Sequence, residues 1–193
     1  MMKTYCRNSV MLLLTAGTAV CGATAYAKPA QSAKKPAAPA AATPTDQAVL
    51  LGQFGDWGAY KATPSGKKVC FALSKPTSAT SEPPGRKRDP SYAFVSTRPG
   101  EKVKNEVSVI VGYPQKAGVD ASATVGSAKY VMYTQNDGAW VKNAAEEAQM
   151  IEAMRKGPNL VIKSVSGQGT KTTDTYSLKG LAQALDKVAE ECK

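Results

Sequence analysis

Val107-Ser108-Val109-Ile110-Val111-Gly112-Tyr113 is the stretch on which the fold turns. Val107, Val109 and Val111 recur at every second position, and successive side chains of an extended chain point to opposite faces. β-Branched residues at that period make a strand with one face on a core. Upstream, Val103 begins this strand, and Leu50 to Lys61, Val69 to Ser74 and Ser91 to Arg98 also read as strands, bounded by turn residues such as Pro64-Ser65-Gly66. Downstream, Lys129 to Gln135 alternates in the same way, and Asn136-Asp137-Gly138 turns the chain back into Ala139-Trp140-Val141. Leu160 to Val165 and Lys171 to Tyr176 form a further hairpin around Gly167-Gln168-Gly169.

Two segments change period from two to 3.6. Asn143-Ala144-Ala145-Glu146 fits a capping box, so a helix starts there, with Ala144, Ala148, Ile151 and Met154 as its expected apolar face and Gly157-Pro158 as its stop. Ser177 is placed to cap the last helix, in which Leu178, Leu181, Leu185, Val188 and Cys192 make one buried stripe. About seven or eight strands with two short helices, one at the C-terminus, predict a mainly β (α+β) domain built as a β-sandwich or barrel. The sequence contains no internal repeat.

The N-terminal quarter reads as processing and linker sequence. Residues 1–27 carry Lys3 and Arg7, an apolar run from Val10 to Val20, and small residues at Ala25 and Ala27, the pattern of a cleaved signal peptide. That run is too short to span a bilayer, which needs about 20 helical residues, and no later segment of the mature chain is long enough for a transmembrane helix. Cys21 follows Val20 where lipidation calls for a small residue, so it is not read as a lipid anchor. Residues 28–45 hold Pro29, Pro36, Pro39 and Pro44 among alanines and lysines, the composition of a semi-rigid tether. Residues 46–193 then suit one domain with a single core.

Signal removal takes away Cys6 and Cys21 and leaves Cys70 and Cys192. In an oxidising compartment two remaining thiols most often pair, and this disulfide would close almost the whole domain. Of 25 basic residues, two lie in the signal and three in the tether, leaving 20 against 15 acidic ones. That excess suits loose attraction to anionic surfaces, including peripheral membrane association, and equally an ordinary solubility charge.

The chain contains no histidine. The commonest general base, the usual Ser–His and Cys–His nucleophile pairs and the usual zinc sites are thereby excluded. No catalytic, cofactor-binding or metal-binding residue is assigned; carboxylate pairs remain as glycosidase-type acid and nucleophile. Glu146-Glu147 lies in a first helical turn, where acidic residues favour the helix dipole. In Phe54-Gly55-Asp56-Trp57, Asp56 is read as a turn residue and Trp57 as core, with an exposed ligand-gripping pair as the other reading; Trp140 has the same two readings. Pro83-Pro84-Gly85-Arg86-Lys87-Arg88-Asp89-Pro90 is a proline-bounded basic loop, and Arg86, Lys87 and Arg88 are the candidate partner-binding residues. No stacking aromatics flank that run, so nucleic acid is not the expected partner.

Several strings occur in an order that resembles the invasion-associated locus B family of α-proteobacterial envelope proteins. They are Phe54-Gly55-Asp56-Trp57, Val107 to Val111 running into Gly112-Tyr113-Pro114, Ala139-Trp140, Ala153-Met154-Arg155-Lys156-Gly157, and Asp174-Thr175-Tyr176-Ser177-Leu178-Lys179-Gly180. The resemblance implies a periplasmic, outer-envelope or secreted protein, named for a role in host-cell entry, with no established catalytic set. The resemblance does not imply an enzyme, and two functional classes stay open on the residues. One is a non-enzymatic protein binding an envelope component or a host-surface protein, favoured by the absence of histidine, the tether and the basic loop. The other is a carboxylate-dependent enzyme acting on envelope glycans.

Overall fold

The structure is a computed structural model that describes residues 47–193. The signal peptide and tether expected over residues 1–45 lie outside the described residues. Eleven strands join in one antiparallel sheet: β1 (Val49–Phe54), β2 (Trp57–Ala62), β3 (Val69–Ser74), β4 (Ser78–Glu82), β5 (Tyr92–Arg98), β6 (Val103–Ile110), β7 (Ala121–Val125), β8 (Ala128–Gln135), β9 (Gly138–Val141), β10 (Asn159–Val165) and β11 (Lys171–Ser177). Two helices, α1 (Ala144–Lys156) and α2 (Leu181–Glu191), complete the domain. The order across the sheet is β1-β2-β3-β5-β6-β9-β8-β7-β10-β11-β4, so β1 and β4 are edges and the sheet does not close into a barrel.

The two ends of the sheet meet through side-chain and backbone contacts, which gives the sandwich-like form. Trp57 of β2 is fully buried, and its indole N–H donates to the Ser177 carbonyl at the end of β11 (2.8 Å). Beside it the Asp56 amide donates to the Lys179 carbonyl (3.0 Å). Gly180 makes this approach with φ of 92°, and a Cβ there would lie 1.8 Å from the Phe54 carbonyl oxygen. Only glycine fits, because both the left-handed backbone and the missing side chain are required.

One sheet face carries the core. Cys70 and Ala72 of β3, Val95 of β5 and Val107 and Val109 of β6 are buried on it, the alternation that the valine spacing predicts. Leu181, Ala184, Leu185 and Val188 of α2 pack against the β1–β3 and β5 end. Cys192 follows α2 and is bonded to Cys70, with Cα atoms 5.9 Å apart and a sequence separation of 122. The opposite face of the same strands carries Tyr60, Phe71, Phe94 and Tyr92 in a row, with successive ring centroids 5.4, 5.9 and 6.2 Å apart.

Several local readings are corrected. Leu50 to Lys61 is a hairpin of two strands turning at Gly55 and Asp56. β4 and β7 raise the strand number above eight. Ser78-Ala79-Thr80-Ser81-Glu82 has no large apolar residue, and its edge position needs only backbone pairing to β11; β7 alternates through Ala121 and Ala123, too small to signal a core face. In α1, Met150 replaces Ala144 and Ala148 on the buried side, because the helix is turned so that Glu147 also faces the sheet. The Glu147 carboxylate accepts from the Val107 amide (2.7 Å), and burial pushes its pKa up despite that bond. The Asn143 cap stands, accepting from the Glu146 amide at 2.9 Å. The last helix starts after Gly180 rather than at Ser177, whose hydroxyl accepts from the Lys179 amide (3.2 Å). Trp140 is half-buried on the outer face, stacked on Tyr133 at 5.6 Å.

A bridge over this loop length restricts the unfolded chain by about 5 kcal/mol in the entropy model, and measured values commonly fall to about 2–4 kcal/mol. Cys192→Ser is therefore expected to lower the melting temperature by about 10 °C. Reductant should lower the wild type equally and leave the variant unchanged. Equal melting of the two oxidised proteins would show that the bridge carries no stability.

Candidate functional site

The loop between β4 and β5 is tied to the domain by its last cation. Arg88 turns inward, its side chain 15% exposed, and Asp174 of β11 is 1% exposed. One guanidinium nitrogen donates to Asp174 Oδ2 (2.8 Å) and to the Val111 carbonyl (2.9 Å), and the other donates to Asp174 Oδ1. The Tyr113 ring lies under the guanidinium, 5.9 Å from its centroid. The hydrogen bond to Asp174 raises the Arg88 pKa beyond its already high ordinary value, so this charge is permanent.

The remaining acceptor capacity of the carboxylate is also used. The Ser91 hydroxyl donates to Asp174 Oδ2 (2.9 Å) and shares a hydrogen bond with the Tyr176 hydroxyl. Burial raises the Tyr176 pKa well above that of a free phenol. Tyr113 in turn bonds the Thr172 hydroxyl. Residues from the β4–β5 loop, the segment just after β6 and β11 thus form one satisfied polar cluster. Gly112 lets the loop approach: its φ is 76°, a Cβ there would sit 2.1 Å from the Asp89 carbonyl oxygen, and the Asp89 amide donates to the Gly112 carbonyl at 3.0 Å.

The three cations of the loop are therefore not equivalent. Arg88 is the anchor, while Arg86 and Lys87 stand exposed. Adjacent charges in a sequence look alike, and what divided them was Asp174, a carboxylate of a distant strand 86 residues away. The signal for it lay in Lys171-Thr172-Thr173-Asp174-Thr175-Tyr176, where the inward positions of an alternating strand are Thr172, Asp174 and Tyr176. A charge at a core position demands a buried partner.

A groove adjoins this loop. Glu82, the last residue of β4 before Pro83, lines a cavity of about 420 Å³ together with Thr80, Ser122, Lys163, Lys171 and Thr173. Asp120 stands at the same cavity and is paired with Lys142 (2.7 Å). The sequence had not singled out these residues, since hydroxyls and lysines alternating in a weak strand look like an ordinary solvated face.

Arg88→Met should cost about 3–5 kcal/mol, because it leaves the Asp174 charge buried without its partner. Denaturant melts should show most of that loss recovered when Asp174→Leu is added, since removing both charges abolishes the desolvation penalty. The Tyr176 phenol gives the cluster an alkaline limit. Its pKa is higher folded than unfolded, so the stability it contributes is full below about pH 10 and is lost as pH rises above it. Thermal melts across pH 8–11, an interval set about the ordinary phenol pKa, should fall more steeply for wild type than for Tyr176→Phe.

No curated protein and no solved structure matches this chain. The family model described as "Invasion associated locus B (IalB) protein" matches residues 59–189. That span includes Val107 to Tyr113, the Arg88–Asp174 cluster and most of α2, whereas Phe54 to Trp57 precedes it. With more than half of its length matched, the chain belongs to the invasion associated locus B family.

Proposed function

We propose that this protein is exported and acts without catalysis, binding an anionic component of the envelope or of a host surface through the β4–β5 loop. The observation that carries the reading is the Arg88–Asp174 anchor. A loop pinned at that point and bounded by Pro83, Pro84 and Pro90 presents Arg86 and Lys87 with little freedom left to lose on binding. The signal-like N-terminus and the tether support export and clearance from a surface. The Cys70–Cys192 bridge suits an oxidising compartment. The lack of histidine in the chain favours binding over hydrolysis.

Because Arg88 is structural, the informative change is Arg86→Ser with Lys87→Ser, which spares the anchor. Co-sedimentation of mature protein with phosphatidylglycerol-containing vesicles should weaken by about thirtyfold, since each of the two basic residues near an anionic leaflet contributes about 1 kcal/mol. Its salt dependence should flatten as well. Unchanged sedimentation in the double variant would dismiss the loop. An intact mass of envelope-derived protein beginning at Lys28 is the matching result for export, and retention of residues 1–27 would count against it. Turnover of an envelope glycan, abolished by changing one carboxylate, would put the enzyme reading in place of binding.

A further inference from the structure

We propose that the groove over β7, β10, β11 and β4 is a binding site for an acidic oligosaccharide. Strand pairing sets its floor. Ser122, Lys163, Thr173 and Thr80 are direct cross-strand neighbours, one from each of the four strands. Two residues along, Lys171 and Glu82 are paired in the next row on the same face. Side chains that alternate across a strand place both rows on the surface facing away from the core.

The polar groups of this surface are unspent. Ser122, Thr173, Lys163, Lys171 and Glu82 have no side-chain hydrogen bond or ion pair among the described residues. Thr80 uses only its proton, donated to the Thr173 carbonyl at 3.3 Å. Hydroxyls both donate and accept, ammonium groups only donate, and Glu82 only accepts. A ligand that satisfies all three kinds at once carries many hydroxyls and an occasional anionic group, which is the chemistry of an acidic saccharide.

Size and charge narrow the class further. A volume of about 420 Å³ falls within the range of small-ligand clefts, about 300–1,000 Å³, but the polar lining does not suit an apolar ligand. With Asp120 held by Lys142, the two lysines face Glu82 alone, leaving a small positive excess. That balance suits a chain with sparse charges rather than a dense polyanion. The inference goes beyond the loop reading and uses different residues, so either can fail without the other.

Calorimetric titration of mature protein with trigalacturonate and with a heparin-derived tetrasaccharide tests it, against chitotetraose and inorganic phosphate as neutral and simple-anion controls. At least one acidic oligosaccharide should saturate and bind about tenfold or more tightly than either control, the weight of a charge-assisted contact. Preference for trigalacturonate would point to an unsulfated uronate-bearing glycan, and preference for the heparin tetrasaccharide to a sulfated glycosaminoglycan. Lys163→Thr with Lys171→Thr should remove that preference, and Thr173→Tyr, which fills the groove without changing charge, should weaken binding as well. Amide shifts at Ser122, Lys163 and Thr173 locate the ligand. The inference is overturned if no acidic sugar binds, if chitotetraose or phosphate binds equally, or if both groove variants bind like wild type. Loss confined to Arg86→Ser/Lys87→Ser would likewise overturn the groove while upholding the loop.

Discussion

A carboxylate taken out of water must find its counter-charge within the protein, and Asp174 finds it in Arg88. The consequences spread through three parts of the domain. Arg88 brings the end of the β4–β5 loop onto the sheet, the Val111 carbonyl fixes its height, and Tyr113 covers its face. Ser91 and Tyr176 complete the cluster, so every acceptor and donor around the buried charge is occupied. Any change that removes one partner leaves an uncompensated charge, whereas replacing both is far less costly.

A second constraint acts at the join between the sheet's ends. Trp57 brings a large apolar side chain to the inner face, yet its N–H must be satisfied, and the Ser177 carbonyl does so. This bond and the close passage of Gly180 past Phe54 set the entry of α2. The helix then carries Cys192 to Cys70, so a single covalent link closes the assembly that these contacts have positioned. The cluster at Asp174 and the join at Trp57 both lie along β11, one near its middle and the other at its end. That strand couples the anchored loop to the core.

The readings that succeeded share one property: their cause is local. Val69 to Ser74 alternates because its own residues alternate, and Asn143 caps because the Glu146 amide is three residues away. Leu181, Leu185 and Val188 fall on one stripe through helical spacing alone. The failures have distant causes. Ser78 to Glu82 becomes a strand because β11 offers a free edge to its backbone. In α1, Met150 is buried in place of Ala144 and Ala148 because the helix is turned to let Glu147 accept from the Val107 amide. Trp140 leaves the core because Tyr133 offers a stacking partner on the outer face.

By itself the sequence determined the mainly β character, the two helices and their stripes, the cysteine pair and the placing of a basic loop between prolines. Each follows from periodicity, composition or elimination within a short span of chain. Only the tertiary structure decided which of Arg86, Lys87 and Arg88 is an anchor, and that Ser122, Lys163, Thr173 and Thr80 lie side by side. Those relations join residues far apart in sequence, and they exist only after strand order and register have been chosen. That choice belongs to the sheet as a whole, because each strand's neighbours are set by the burial and pairing of all the others.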